Sequence, residues 1–179
     1  MLASLGLLIG ACGGEDEGGG NPESRVIDYE QALADAPEPL AALYRQGDEL
    51  LGGGTEAFEA QLAELEGHPV VVNKWASWCG PCRFEFPFFQ SQAVEHGDRV
   101  AFLGIDSEDS EDAARTFLDE LPLPYPSFTD PDSEIARSID AHEFPATVFF
   151  DADGELVYTH RGGYASEEEL AAEIERHAR

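Results

Sequence analysis

Basic residues are scarce in this sequence. Lysine and arginine together number 10, against 37 aspartates and glutamates, and the formal net charge at pH 7 is -27. Such a surface repels nucleic acid and anionic lipid headgroups, which argues against a nucleic-acid partner. The interpretation that we favour is a solvated acidic surface that aids solubility. The sharper alternative is electrostatic steering towards a basic partner protein.

Cysteine is also scarce. The sequence holds only Cys12, Cys79 and Cys82, too few for a scaffold that depends on several disulfides. One close pair and one distant cysteine need separate explanations. Apolar residues make up 42% of the 179 residues, which is enough for a core. This length predicts one domain of ordinary size with additional segments.

The first 24 residues have the composition of a leader and a linker. Residues 5–11 are apolar or small, and this run is far too short to span a bilayer. Residues 12–24 are acidic, rich in glycine and without an apolar pattern, which is typical of a flexible tether.

The tetrapeptide IGAC, which ends at Cys12, resembles the lipobox of bacterial lipoproteins. The resemblance implies a signal peptide over residues 1–11 and lipidation of the Cys12 sulfur, which would anchor the protein to the outer side of the cell membrane. The stretch departs from that pattern because no Lys or Arg precedes Cys12 and the apolar part is short. An irregular N-terminus with an incidental cysteine is the alternative.

From about residue 25 the apolar pattern predicts alternating helices and strands. Helices are expected over 38–51, 56–66, 79–95, 110–121, 132–139 and 167–178, and strands over 70–76, 99–106, 146–150 and 155–161. This order predicts an α/β fold in which a central mixed β-sheet is flanked by helices on both faces. We divide this part into an N-terminal helical extension, 25–54, and a main domain, 55–179.

The spacing of Cys79 and Cys82 fits either a metal site or a redox pair. A structural zinc site needs four ligands, and the five histidines show no paired ligand spacing, so we expect no metal. At a helix N-terminus, backbone amides and the helix dipole stabilise the Cys79 thiolate, while Cys82, one turn later, can resolve a mixed disulfide. Gly80 and Pro81 fit the first turn at little steric cost. We predict a redox pair that needs no cofactor.

The stretch WASWCGPC resembles the active site of the thioredoxin superfamily, and EFPATVFF resembles its cis-proline segment. The resemblance covers residues 56–179 and implies a thioredoxin-like fold with Cys79 as the attacking and Cys82 as the resolving cysteine. It also implies a cis Pro145 that faces the pair and leaves the backbone of Phe144 to bind an extended substrate. An ordinary trans proline at the start of a strand is the alternative.

Other features are similar to the extracytoplasmic TlpA/ResA/DsbE-like branch of that superfamily. They are the helix expected over 110–121, with the PYPSF segment after it, and the CRFEFP pattern that begins at the second cysteine. The entry segment departs from the branch, because AFEAQLAELEGHPVVV is more similar to the entry helix of ordinary thioredoxins.

Three polar residues are candidates for tuning the cysteines. Asn73 stands where cytoplasmic thioredoxins carry a buried aspartate, and it is either a non-titrating tuning residue or a hydrogen-bonded polar plug. Lys74 replaces a usual Phe; we expect its ammonium to reach a carboxylate or solvent, the alternative being a cation that stabilises a thiolate. Glu85 is the best candidate proton acceptor, or else a surface residue paired with Arg83. We expect Trp78 to shield the site and contact substrate.

The sequence thus predicts a thiol–disulfide oxidoreductase, a monomer that meets protein thiols and disulfides. By resemblance, apocytochrome c is a candidate substrate, and a membrane protein of the CcdA or DsbD type is a candidate electron donor. A disulfide-forming oxidase is the alternative, because direction depends on a reduction potential that the sequence does not give. A non-catalytic metallochaperone or adaptor is the hypothesis from another class.

Overall fold

The computed structural model describes residues 29–179. The predicted signal peptide, the tether and Cys12 lie outside the described residues. The helices are α1 Tyr29–Ala32, α2 Leu40–Tyr44, α3 Gly54–Glu64, α4 Gly80–His96, α5 Glu111–Glu120, α6 Glu134–Ser138 and α7 Glu167–His177. The strands are β1 Leu50–Leu51, β2 Val70–Trp75, β3 Ala101–Ser107, β4 Ser127–Asp130, β5 Ala146–Phe150 and β6 Leu156–Arg161.

The six strands form one mixed sheet in the order β1-β4-β3-β2-β5-β6. β1, β4, β3 and β2 run parallel, whereas β5 is antiparallel to both β2 and β6. Every residue of β2, β3 and β5 is buried, as their continuous apolar runs predict. The α/β fold and the mixed sheet expected from the sequence are confirmed.

Helices cover both faces of the sheet. On one face α4 packs against α7, and Phe117 of α5 contacts both Trp75 of β2 and Phe86 of α4. On the other face Phe58 of α3 lies 5.5 Å, between ring centroids, from Phe128 of β4. Because side chains alternate along a strand, neighbouring residues of β2 point into different helix layers.

The helix predicted over 38–51 is wrong in its second half. The helix α2 ends at Tyr44, and Leu50 and Leu51 form β1, the edge strand beside β4. Asp48 causes the change, because it adopts a left-handed backbone with φ of 61° and exchanges hydrogen bonds with Leu123 through its amide and its carboxylate. These two hydrogen bonds hold the turn that leads the chain from α2 to the edge of the sheet.

The start of α3 also differs from the prediction. It begins at Gly54, two residues before the predicted start, and its N-cap is Gly53, whose φ of 101° is left-handed. A side chain at Gly53 would be strained at this φ and would collide with Ala57. None of the helices described for residues 29–179 combines the length and the apolar character that a membrane span requires.

Candidate active site

The cysteine pair lies where β2 passes into α4. Cys79 is the N-cap of α4, and its sulfur accepts a hydrogen bond from the Cys82 amide at 3.2 Å. The two cysteines form a disulfide, with Cα atoms 5.3 Å apart. Cys79 is 4% exposed and Cys82 is fully enclosed. The Cys82 amide, in the first helical turn, therefore faces the Cys79 sulfur, the geometry that stabilises a thiolate.

The cis-proline loop closes over the start of α4. The Phe144–Pro145 peptide bond is cis, and the Pro145 carbonyl accepts a hydrogen bond from the Gly162 amide at 3.0 Å. Gly163 fits between the two prolines, since a Cβ on it would lie 3.5 Å from Pro145 Cγ and 3.6 Å from Pro81 Cβ. The structure thus brings Pro145 next to the turn that carries the cysteines. Gly80 and Pro81 are exposed in that turn.

Glu85 is a buried carboxyl group just beneath this loop. It has no exposed surface, and a Cβ on Gly163 would lie 3.5 Å from its Oε2. The side-chain amide of Asn73 donates to Oε1 and the backbone amide of Tyr164 donates to Oε2, each at 3.1 Å. Burial raises the pKa of Glu85 to about 7, although both hydrogen bonds act to lower it. Near neutral pH this carboxyl group can therefore accept or release a proton.

Asn73 and Glu85 thus form one hydrogen-bonded pair, and Glu85 is not the surface residue of the alternative interpretation. Arg83, the expected surface partner, forms an ion pair with Glu120 at 2.8 Å instead. Asn73 Oδ1 is buried without a hydrogen-bond partner among the described residues. The amide of Asn73 therefore acts on Glu85 as a donor only.

Tyr164 is a site residue that sequence reasoning missed. Its backbone amide holds Glu85, and its hydroxyl donates to Glu173 of α7 at 2.8 Å. His160 of β6 stacks on the Tyr164 ring with centroids 4.1 Å apart, and it contacts Glu173 as well. No local signal marks this residue, because Glu85 lies 79 positions away along the chain.

Trp78 and Phe144 form a pair of rings that we call the aromatic platform. Their centroids are 4.8 Å apart, and Trp78 is 57% exposed. Lys74 lies beneath, with its Nζ 3.8 Å from the centroid of the Phe144 ring. Contrary to the expectation, the ammonium of Lys74 reaches neither solvent nor a carboxylate: the residue is 2% exposed and forms no ion pair within 4.0 Å of a described carboxylate, although Glu108, Asp130 and Glu143 attract its charge. Burial lowers the pKa of Lys74, against the effect of these carboxylates.

Asp106 is a second buried carboxyl group, at the end of β3. It is 2% exposed, and its Oδ1 has no hydrogen-bond partner among the described residues. Burial, and then the nearby carboxylates of Asp109 and Asp130, raise the pKa of Asp106 to about 8. Within residues 29–179 no group of three or more His, Cys, Asp or Glu side chains is arranged to hold a metal ion.

The geometry supports thiol–disulfide exchange. A cysteine at a helix N-terminus supplies the nucleophile, a second enclosed cysteine is already within bonding distance, and a carboxyl group with a pKa near neutrality lies in the same layer. An exposed tryptophan and a cis-proline loop border the pair and can receive a polypeptide.

Comparison with known proteins agrees with this chemistry. The Redoxin family model matches residues 51–174. The chain is 32% identical over 97 residues to the thiol-disulfide oxidoreductase ResA of Oceanobacillus iheyensis, a match that covers 54% of this chain and 50% of the relative. It is 27% identical over 126 residues to ResA of Halalkalibacterium halodurans, covering 68% and 72%. The chain thus spans about half the length of the first of these relatives.

Solved structures show the same fold. A secreted Mycobacterium tuberculosis disulfide oxidoreductase homologous to E. coli DsbE superposes with a TM-score of 0.57 at 28% identity, covering 64% of this chain and 85% of that chain. The exposed lipoprotein thioredoxin Etrx1 of Streptococcus pneumoniae superposes with a TM-score of 0.57 at 26% identity, covering 64% and 89%. The fold is thioredoxin-like, of the ResA/DsbE type. The Redoxin family model matches more than half of this chain, and the chain therefore belongs to the Redoxin family.

Proposed function

We propose that this protein is a membrane-anchored, extracytoplasmic thiol–disulfide oxidoreductase that reduces protein disulfides through Cys79 and Cys82. The observation that carries the proposal is the placement of the pair: an N-cap cysteine, an enclosed partner and the buried Glu85 carboxyl group under one cis-proline loop. This arrangement provides each group that two successive exchange reactions need.

The first reaction starts from the reduced pair. The Cys79 thiolate, stabilised by the helix N-terminus, attacks one sulfur of a substrate disulfide, and the other substrate sulfur leaves as a thiolate. A mixed disulfide between Cys79 and the substrate results. The substrate backbone lies in extended form along Phe144 and Pro145, while Trp78 covers the reacting sulfurs from water.

The second reaction releases the substrate. Glu85 accepts the proton of the Cys82 thiol, and the Cys82 thiolate attacks the Cys79 sulfur, which expels the substrate as its second thiolate. Two electrons have then passed from the protein dithiol to the substrate, and the protein holds the Cys79–Cys82 disulfide. A donor must return two electrons before the next cycle.

Charge around the pair supports the reducing direction. A buried carboxyl group and a strongly acidic chain both disfavour a neighbouring thiolate, which favours the disulfide form of the protein. Strong oxidants of this kind owe their high potential to a stabilised reduced form. The reverse reaction, disulfide formation in secreted proteins, is the competing function that the potential would reveal.

The proposal extends to location and partners. The lipobox-like IGAC and the lipoprotein character of Etrx1 support an anchor on Cys12 at the outer face of the cell membrane. From the resemblance to the TlpA/ResA/DsbE-like branch we also propose substrates in cytochrome c maturation and a donor of the CcdA or DsbD type. A transient meeting with several partners suits a monomer with a shallow site.

A redox titration of the Cys79–Cys82 pair against dithiothreitol tests the direction. We expect a potential well below about -150 mV, and a value near or above it would overturn the reducing function. Cys82→Ser should trap a mixed disulfide through Cys79, whereas failure to trap one would contradict the assignment of attacker and resolver. Fatty-acid labelling that persists in Cys12→Ala would contradict the anchor.

A further inference from the structure

Two acidic residues, Glu108 and Glu143, border the aromatic platform. The indole N–H of Trp78 donates to the backbone carbonyl of Glu108 at 3.0 Å, so the exposed Glu108 lies directly beside the ring. The Glu108 carboxylate accepts a hydrogen bond from the Ser133 hydroxyl at 2.8 Å and forms no ion pair within 4.0 Å in the described part of the chain. Glu143, which is exposed as well, directly precedes Phe144.

The basic side chains of this region already have partners within the protein. Lys74, the sole lysine of the sequence, is 2% exposed under the Phe144 ring. Arg83 is paired with Glu120. Arg161 is shared between Asp140, at 2.5 Å, and Glu143, at 3.4 Å. The accessible surface beside Cys79 therefore combines an indole face with carboxylate charge.

We propose that the site selects substrate disulfides that are flanked by lysine or arginine, and that this side chain lies on the exposed face of Trp78 beside Glu108. The inference rests on the proposed function and names its substrate class. An indole face attracts a cation more strongly than any other ring, and a neighbouring carboxylate adds to that attraction. The protein uses the same contact internally, where Lys74 lies on Phe144.

The net charge extends this selection to longer range. A chain with a net charge of -27 attracts a basic polypeptide before contact, and that attraction weakens as salt screens it. The contact with Trp78 acts at short range, so it persists at salt concentrations that remove the steering. The two contributions can therefore be separated by ionic strength.

The experiment uses three peptides with the same intramolecular disulfide, flanked on both sides by arginine, glutamine or glutamate. The protein is reduced with dithiothreitol, freed of reductant and mixed with each peptide. Each turnover converts one peptide disulfide to two thiols and the protein dithiol to its disulfide. At low salt the second-order rate constant should be about tenfold higher for the arginine peptide than for the glutamine peptide, and lowest for the glutamate peptide.

Three variants test which residues produce the preference for the arginine peptide. Glu108→Gln keeps an acceptor for Ser133, and it should lower the ratio of arginine-peptide to glutamine-peptide rates about threefold. Trp78→Leu should abolish the preference that remains at high salt. Glu155→Gln is the matched control, because it removes the same charge from an exposed residue in the β5–β6 turn, at the other end of β2 from the cysteines. That ratio should stay at the wild-type value in the control.

The outcomes separate the inference from the proposed function. Equal rates for the three peptides in the wild-type protein overturn the inference and leave the oxidoreductase intact. An equal loss of preference in Glu108→Gln and Glu155→Gln overturns the contact at Trp78, since steering by total charge then accounts for the preference. If no peptide disulfide is reduced, the proposed function itself is wrong, and the inference falls with it.

Discussion

Asn73 and Lys74 are neighbours on β2, but their side chains lie in opposite layers of the molecule. Each layer contains a buried ionisable group, and the contacts of the two groups differ. On the α4 side, Asn73 and Tyr164 hydrogen-bond to Glu85, whose pKa is raised to about 7. On the other side, Lys74 rests on the Phe144 ring and is attracted by carboxylates that it does not touch. The Glu85 carboxyl group can exchange a proton near neutral pH, whereas the Lys74 ammonium is held against the Phe144 ring.

We expect this difference to separate reaction chemistry from substrate recognition. A group that titrates near the working pH can move protons for a cysteine, so we expect variants of Glu85 to affect the exchange steps. Lys74 lies under the Phe144 ring of the aromatic platform, so we expect variants of Lys74 to affect substrate docking. Variants on the two sides should therefore affect different measurements.

The largest expected effect is that of Glu85→Gln on resolution. An amide cannot accept the Cys82 proton, so release of the substrate from the mixed disulfide should slow by about 100-fold at pH 7. Rapid-quench measurement of mixed-disulfide decay checks this, with Glu155→Gln as the control. If formation of the mixed disulfide slows equally, Glu85 is not specific to the second step.

The same substitution should also change how stability depends on pH. The pKa of Glu85 is about 7 in the folded state and near 4.5 when unfolded, so stability present below pH 4.5 is lost as pH rises through 7. Relative to wild type, Glu85→Gln should gain about 3 kcal/mol between pH 4 and pH 8. Urea unfolding at both pH values measures this difference.

Asp106 provides the matched comparison for that measurement. Because the pKa of Asp106 is about 8, the wild-type protein continues to lose stability up to a higher pH. Asp106→Asn should therefore continue to gain stability relative to wild type between pH 7 and pH 9. A gain for Glu85→Gln that is the same at pH 4 and pH 8 would show that Glu85 does not titrate in this window.

Asn73→Ala should act through Glu85 more weakly. Loss of a hydrogen bond that favours the ionised carboxylate should raise the pKa of Glu85 further, by about 0.5 to 1 unit. The pH profile of mixed-disulfide resolution should shift to higher pH by that amount. Thr147→Val is the control, because Thr147 lies opposite Asn73 on β5 but is not among the hydrogen-bond partners of Glu85, which are Asn73 and Tyr164. A shift towards lower pH would contradict the assignment.

The smallest effect on the cysteines is expected of Lys74→Met. Since the ammonium lies on the Phe144 ring, its removal should change the pKa of the Cys79 thiol by less than about 0.5 unit. The pH dependence of iodoacetamide alkylation of the reduced protein measures this pKa, with Lys74→Arg as the control that keeps the charge. An increase of a full unit or more would show that Lys74 stabilises the thiolate instead.

The parts of the site that the sequence could predict are those with a local pattern. A buried strand followed by Cys-Gly-Pro-Cys places Cys79 at a helix start, and the strand at 146–150 places Pro145 ahead of it. The contacts of Glu85 with Tyr164 and of Lys74 with Phe144 depend on packing between distant segments, so periodicity could not reveal them. The two-residue strand β1 was missed because its apolar residues fit a helical face equally well.

Because the sole lysine is buried, its chemical reactivity depends on local opening of the folded protein. Amine-directed acylation needs an uncharged, accessible amino group, and among side chains only Lys74 can supply one. Acylation of Lys74 therefore requires the Phe144 ring to move away from it. The rate at which this one side chain is acylated, followed by mass spectrometry, should therefore measure how often the aromatic platform opens.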